Sequence, residues 1–98
     1  MHCIGERIWE EIRLKKWEYK IKNNLGIHAR SAAMLVREAK KYESRILLSM
    51  EGKTAPAVDL MEIVDLDVKC GQTIEVLFSG RDEETAYKGI REFFEGNL

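Results

Sequence analysis

The sequence predicts an α+β domain in which helices cover one face of a small sheet. Three observations carry that expectation. Runs of alternating apolar and polar residues recur around 17–21, 45–51 and 73–78, the period of half-buried strands. Two longer stretches repeat their apolar residues every three to four positions, as helices with one buried stripe do. Glycine-bearing turns separate the runs, and the resulting order is βαββαβα.

Composition bounds the rest. Ninety-eight residues suffice for one domain and not for two. With 45% apolar and 34% charged residues the chain reads as globular. A net charge of −1 supplies no basic field for nucleic acid. The apolar runs are far too short for a membrane span, so no membrane insertion is expected. The N-terminus also lacks the layout of a secretion signal. Cys3 and Cys70 are read as two unrelated reduced thiols of a cytoplasmic protein. His2-Cys3 makes a poor metal site, and the sequence calls for no metal or cofactor.

Taken in order, residues 1–14 form an N-terminal extension. Ile4, Ile8 and Ile12 recur at four-residue spacing, with Trp9 and Leu14 adding apolar area, so a short amphipathic helix fits there. The extension is either a partly ordered tail or an element docked on a sheet edge or a partner chain, which leaves self-association open. Trp17, Tyr19 and Ile21 alternate with charged residues as a first strand, ended by the turn Asn23-Asn24-Leu25-Gly26. A helix from about Ala29 to Tyr42 is expected to bury Ala29, Ala32, Ala33, Val36 and Ala39. Arg45–Glu51 reads as a strand with Ile46, Leu48 and Met50 on one side, and Glu51-Gly52 turns it into a third strand at Lys53–Ala57. Asp59 with Glu62 resembles a capping box that starts a short helix through about Leu66. Ile74, Val76 and Phe78 mark a fourth strand. The last helix has Asp82 as candidate cap, a stripe of Ala86, Ile90, Phe93 and Phe94, and Gly96-Asn97 as its stop signal.

The stretch Leu25-Gly26-Ile27-His28-Ala29-Arg30-Ser31-Ala32-Ala33 carries the chemistry. It sets a histidine where a loop enters a helix, with Arg30 within a turn. The first N–H groups of a helix lack intrahelical partners and carry the positive dipole end, which suits a phosphate. That positive environment favours the neutral, nucleophilic imidazole. Imidazole, N–H groups and guanidinium together describe a phosphohistidine site. A histidine near a helix start is more often a cap or a surface residue, so spacing alone does not carry this reading.

Gly-Ile-His-Ala-Arg before an Ala-rich helix resembles the signature of HPr, the histidine-containing phosphocarrier of the bacterial phosphotransferase system. The similarity runs on through Glu51-Gly52-Lys53-Thr54, Asp59-Leu60-Met61 and Val68-Lys69-Cys70-Gly71. It implies an HPr-like phosphocarrier domain at 15–98, folded as an open-faced sandwich on a four-stranded antiparallel sheet. By the resemblance, His28 is phosphorylated through Nδ1 and Arg30 assists. The chain would take phosphate from enzyme I and hand it to sugar-specific carriers, forming a phosphohistidine intermediate as a relay rather than a turnover catalyst. Leu60, Met61 and Val64 match the family's apolar docking patch, with Arg37 and Lys40 as its basic flank.

Three departures from the family pattern stand out. Ser31 replaces the usual proline, exchanging a preset φ for an N–H and a hydroxyl. Asp59 stands where many Gram-positive relatives carry a regulatory serine. It acts either as a constant partial phosphoserine mimic or simply as a helix cap, and capping explains the residue without regulation. Glu62, Asp65 and Asp67 add negative charge beside the patch, which can weaken docking or select another partner. The rival to the carrier is therefore an HPr-derived regulatory module with little or no phosphotransfer. A structural adaptor built on Ile4, Ile8, Trp9 and Ile12 is the third class.

Overall fold

A computed structural model describes residues 15–98; the expectations placed on 1–14 lie outside them. The strands are β1 (Lys15–Lys20), β2 (Arg45–Met50), β3 (Lys53–Pro56) and β4 (Thr73–Ser79). The helices are α1 (Ala29–Ala39), α2 (Leu60–Asp65) and α3 (Glu83–Asn97). The order is βαββαβα, and the strands form one antiparallel sheet arranged β1-β4-β2-β3.

Alternation fixes the register, because a one-residue slip would turn every apolar side chain to the wrong face. Ile46 lies opposite Phe78, Leu48 opposite both Val76 and Ala55, and Tyr19 opposite Ile74. All of these are buried, whereas Lys16, Glu18 and Lys20 on the other side of β1 are exposed. The helices supply the second layer. Helix α1 packs against both α2 and α3, and Leu35, Ile63, Ile90 and Phe94 are fully buried among the sheet residues. Burying one such side chain stabilises the fold by roughly 1.5–3 kcal/mol. At the β2–β3 hairpin, Glu51 and Gly52 both have positive φ, 50° and 85°, which is the two-residue turn whose twist matches paired strands.

The helix limits and faces differ from expectation in five places. Helix α1 stops at Ala39 because Lys41 N–H and Tyr42 N–H donate to the carbonyls of Glu38 and Ala39, tightening the chain to three-residue spacing short of Tyr42. Its buried face is Ser31, Ala32, Leu35 and Ala39. Ala29 and Ala33 are exposed, so the alanine pattern misplaces the stripe and Leu35 provides its bulk. Gly96 does not stop α3. It keeps a helical conformation, and the helix closes with the Asn97 side chain donating to the Phe93 carbonyl at 3.0 Å. Phe93 is half-buried rather than core.

Asp82 is the fifth difference. At φ −105° and ψ 33° it makes no side-chain cap on α3. Its carboxylate instead accepts from the N–H groups of Glu43 (2.9 Å) and Ser44 (2.8 Å) and from the Ser44 hydroxyl. These bonds, the hydroxyl's first, hold its pKa below the usual aspartate value and tie the start of α3 to the segment entering β2. A depressed acid stabilises the fold above its unfolded pKa and ceases to do so as pH falls through the folded one. Asp82→Ala should therefore lower the melting temperature at neutral pH. The gap between variant and parent should close below about pH 4, as thermal melts across a pH series would show.

Candidate functional site

The loop from Asn23 to His28 is built to present one residue. The Asn23 side chain accepts the Leu25 N–H at 2.8 Å and its carbonyl accepts the Gly26 N–H at 2.9 Å, a turn that asparagine favours. Gly26 has φ +67°, where a Cβ would collide with the Val68 carbonyl oxygen and lie 2.8 Å from Lys69 Cα. Only glycine allows that approach. It lets the Ile27 N–H donate to the Val68 carbonyl at 3.0 Å while the Ile27 side chain enters the core.

His28 follows as the N-cap of α1, extended at φ −119° and ψ −179° and half-buried. Its N–H donates to Ser31 Oγ at 3.0 Å. Its carbonyl accepts the Ser31 hydroxyl at 3.1 Å and the Ala32 N–H at 2.8 Å. The N–H groups of Ala29 and Arg30 precede the first intrahelical bond, so they remain donors at the positive end of the helix. Arg30 is exposed, and no ion pair among the described residues engages it. His28, Arg30 and Ser31 line one shallow depression of about 310 Å³ together with Asn23, Leu25, Met34 and Asn97. Imidazole, guanidinium and helix N–H groups thus share an open surface where an anion can sit and a second protein can reach it.

Part of this rim is not legible in local sequence. The N–H groups of Lys22 and Asn23 donate to the Leu98 carbonyl at 2.6 and 2.8 Å, and Asn23 Nδ2 donates to the Asn97 carbonyl at 3.1 Å. The end of α3 therefore fixes the loop of a site some seventy residues earlier. The Asn-Asn pair was a visible turn signal, but its distant partner was not.

Beyond the depression, α2 begins at Asp59, whose Oδ1 accepts the Glu62 N–H at 3.1 Å. The N–H of Asp59 goes to the Pro56 carbonyl, so the cap is present and the reciprocal half of the box is not. Met61 is 67% and Leu60 38% exposed, Val64 is half-buried, and Ile63 fills the core instead. Arg37 on α1 and Lys40 just past its end are exposed, as are Asp59, Glu62, Asp65 and Asp67.

Comparison with known proteins agrees with this geometry. A family model described as the PTS HPr component phosphorylation site matches residues 15–96. The chain belongs to the HPr family of phosphocarriers. The phosphocarrier protein HPr of Xylella fastidiosa is 37% identical over 81 residues, covering 83% of this chain and 91% of that protein. The HPr-like protein Crh of Halalkalibacterium halodurans is 35% identical over 81 residues, 83% of this chain and 94% of its own. The crystal structure of HPr-C-His from Thermoanaerobacter tengcongensis superposes with a TM-score of 0.79 at 36% identity, covering 83% of this chain and 91% of that one. The open-faced sandwich is thus the HPr fold, and phosphoryl carriage within the phosphotransferase system is the family's function. No helix among the described residues is long and apolar enough to cross a membrane.

Gly26 is the joint that this HPr site depends on. Gly26→Ala should lower unfolding stability by at least about 2 kcal/mol, combining a left-handed alanine with displaced backbone at Val68. Urea denaturation of the two proteins would measure it. A loss well under 1 kcal/mol would mean that the loop accepts another path.

Proposed function

We propose that this chain is a cytoplasmic phosphoryl relay that receives phosphate from enzyme I on His28 and passes it to sugar-specific components of the phosphotransferase system. The observation that carries the reading is the half-buried His28 at the N-cap of α1, sharing its depression with Arg30. The lone pair of the imidazole nitrogen, Nδ1 by the family pattern, attacks phosphorus. The nitrogen–phosphorus bond forms as the bond from phosphorus to the donor breaks, and that electron pair leaves with the donor. Discharge reverses the step, with the acceptor's nucleophile attacking. Arg30 and the N–H groups of the first turn oppose the charge on the phosphoryl oxygens. Partners dock through Leu60, Met61 and Val64, with Arg37 and Lys40 alongside. A shallow site serves a relay because each successive protein must reach the same atom.

A second reading, a regulatory module that binds partners through α2 with little phosphotransfer, draws on the exposed acids Glu62, Asp65 and Asp67 beside that patch.

Enzyme I with labelled phosphoenolpyruvate should place an acid-labile phosphate on the parent protein and none on His28→Ala. Arg30→Ala should still be labelled but about 10- to 100-fold more slowly, the worth of one charge-assisted hydrogen bond. Label persisting in His28→Ala would move the site elsewhere, and an unlabelled parent would favour the regulatory module.

Asp59 separates capping from regulation. Asp59→Ala should cost roughly 0.5–2 kcal/mol of stability, while Asp59→Ser keeps a cap and changes stability little. Faster labelling of Asp59→Ser would give the carboxylate a regulatory role, and an equal rate would leave it a cap.

A further inference from the structure

Ser31 is one of two buried polar residues among those described, only 5% exposed. Its hydroxyl makes both of its hydrogen bonds to one residue, accepting from the His28 N–H at 3.0 Å and donating to the His28 carbonyl at 3.1 Å. The first of these is the reciprocal half of a capping box, in which the side chain of the third helical residue accepts from the N-cap N–H. Here the hydroxyl also donates back to the His28 carbonyl, so the third helical residue holds both main-chain groups of the N-cap.

Resting on the reading of His28 as the phosphoryl acceptor, we propose that Ser31 is a positioning residue that locks the His28 main chain and so aims its imidazole at the incoming phosphoryl group. The residue before His28 is already anchored, since Ile27 is buried and its N–H is bonded to the Val68 carbonyl. The carbonyl after His28 is held twice, by the Ala32 N–H and the Ser31 hydroxyl. The remaining main-chain group, the His28 N–H, has Ser31 Oγ as its partner. With both flanking peptide planes fixed, the Cα–Cβ direction is set and only the rotations of the imidazole itself remain. A proline at this position would restrict φ of residue 31 but could offer no hydroxyl to His28. The chain has therefore exchanged stiffness within the helix for a direct hold on the reactive residue. Reaction rates respond steeply to alignment at the reacting atoms, so the effect belongs in the chemical step and not in docking.

The experiment compares the parent with Ser31→Ala, which deletes the hydroxyl, and Ser31→Thr, which keeps it. Thermal melting and amide spectra first establish that each variant is folded. Amide exchange at His28 should quicken in Ser31→Ala and return to the parent value in Ser31→Thr. With enzyme I and labelled phosphoenolpyruvate, kcat should fall roughly three- to ten-fold in Ser31→Ala, the worth of one neutral hydrogen bond. KM for the carrier should not change, and Ser31→Thr should recover the rate. A His28 amide equally protected in Ser31→Ala, or an unchanged kcat in a labelled protein, would overturn the proposal. So would a loss that appears in KM. A parent that takes no label, with the His28 amide exchange still dependent on the hydroxyl, would instead overturn the carrier reading and leave Ser31 a purely structural hold.

Discussion

The contact on which this structure depends most is a backbone-to-backbone approach, Gly26 against Val68 and Lys69. Because residue 26 has no Cβ, two loops distant in sequence touch through their main chains, and the Ile27 N–H meets the Val68 carbonyl. Everything at the site follows from that seam. It determines where α1 starts, hence where its unpaired N–H groups point, hence which residue becomes the N-cap. An imidazole is nucleophilic by its chemistry, but where that of His28 sits is decided by glycine.

A second constraint closes the loop from the other side. The end of α3 receives the N–H groups of Lys22 and Asn23, so the turn is held between the last helix and the segment before β4. Polar bonds at the rim and apolar burial beneath it act together, with Ile21, Ile27 and Val68 all nearly inaccessible. The depression is open while the chain beneath it is pinned by hydrogen bonds and buried side chains. That combination suits a group that must be met in one orientation by more than one protein.

The strands were legible because period-two alternation is a direct record of a two-faced sheet; Ile46, Leu48, Ile74, Val76 and Phe78 all lie where their spacing places them. Asp59 was legible as a cap because the interaction is local. The failures were non-local. Asp82 looks like a cap by position, yet its carboxylate serves a loop about forty residues earlier. The alanines of α1 suggested a stripe centred on small residues, whereas the neighbouring sheet and α3 select Leu35 and leave Ala33 in solvent. At the helix start, residue types and order pointed to His28 and Arg30, and the two line one depression. The sequence showed that Ser31 carries a hydroxyl, but only the structure shows that it turns back onto His28.

The seam at Val68 also has a consequence for how such a surface can diverge. Only Leu66 and Asp67 separate the end of α2 from Val68, and Asp67 turns sharply at φ 54°. The gap between the exposed Leu60 and Met61 and the imidazole is therefore set by main-chain joints, like the span of a rigid gauge. Side chains on α2 can be exchanged, acids for hydroxyls or leucine for methionine, without resetting that span. The chemistry of this exposed patch can thus change from one sequence to another while its distance from the imidazole stays the same.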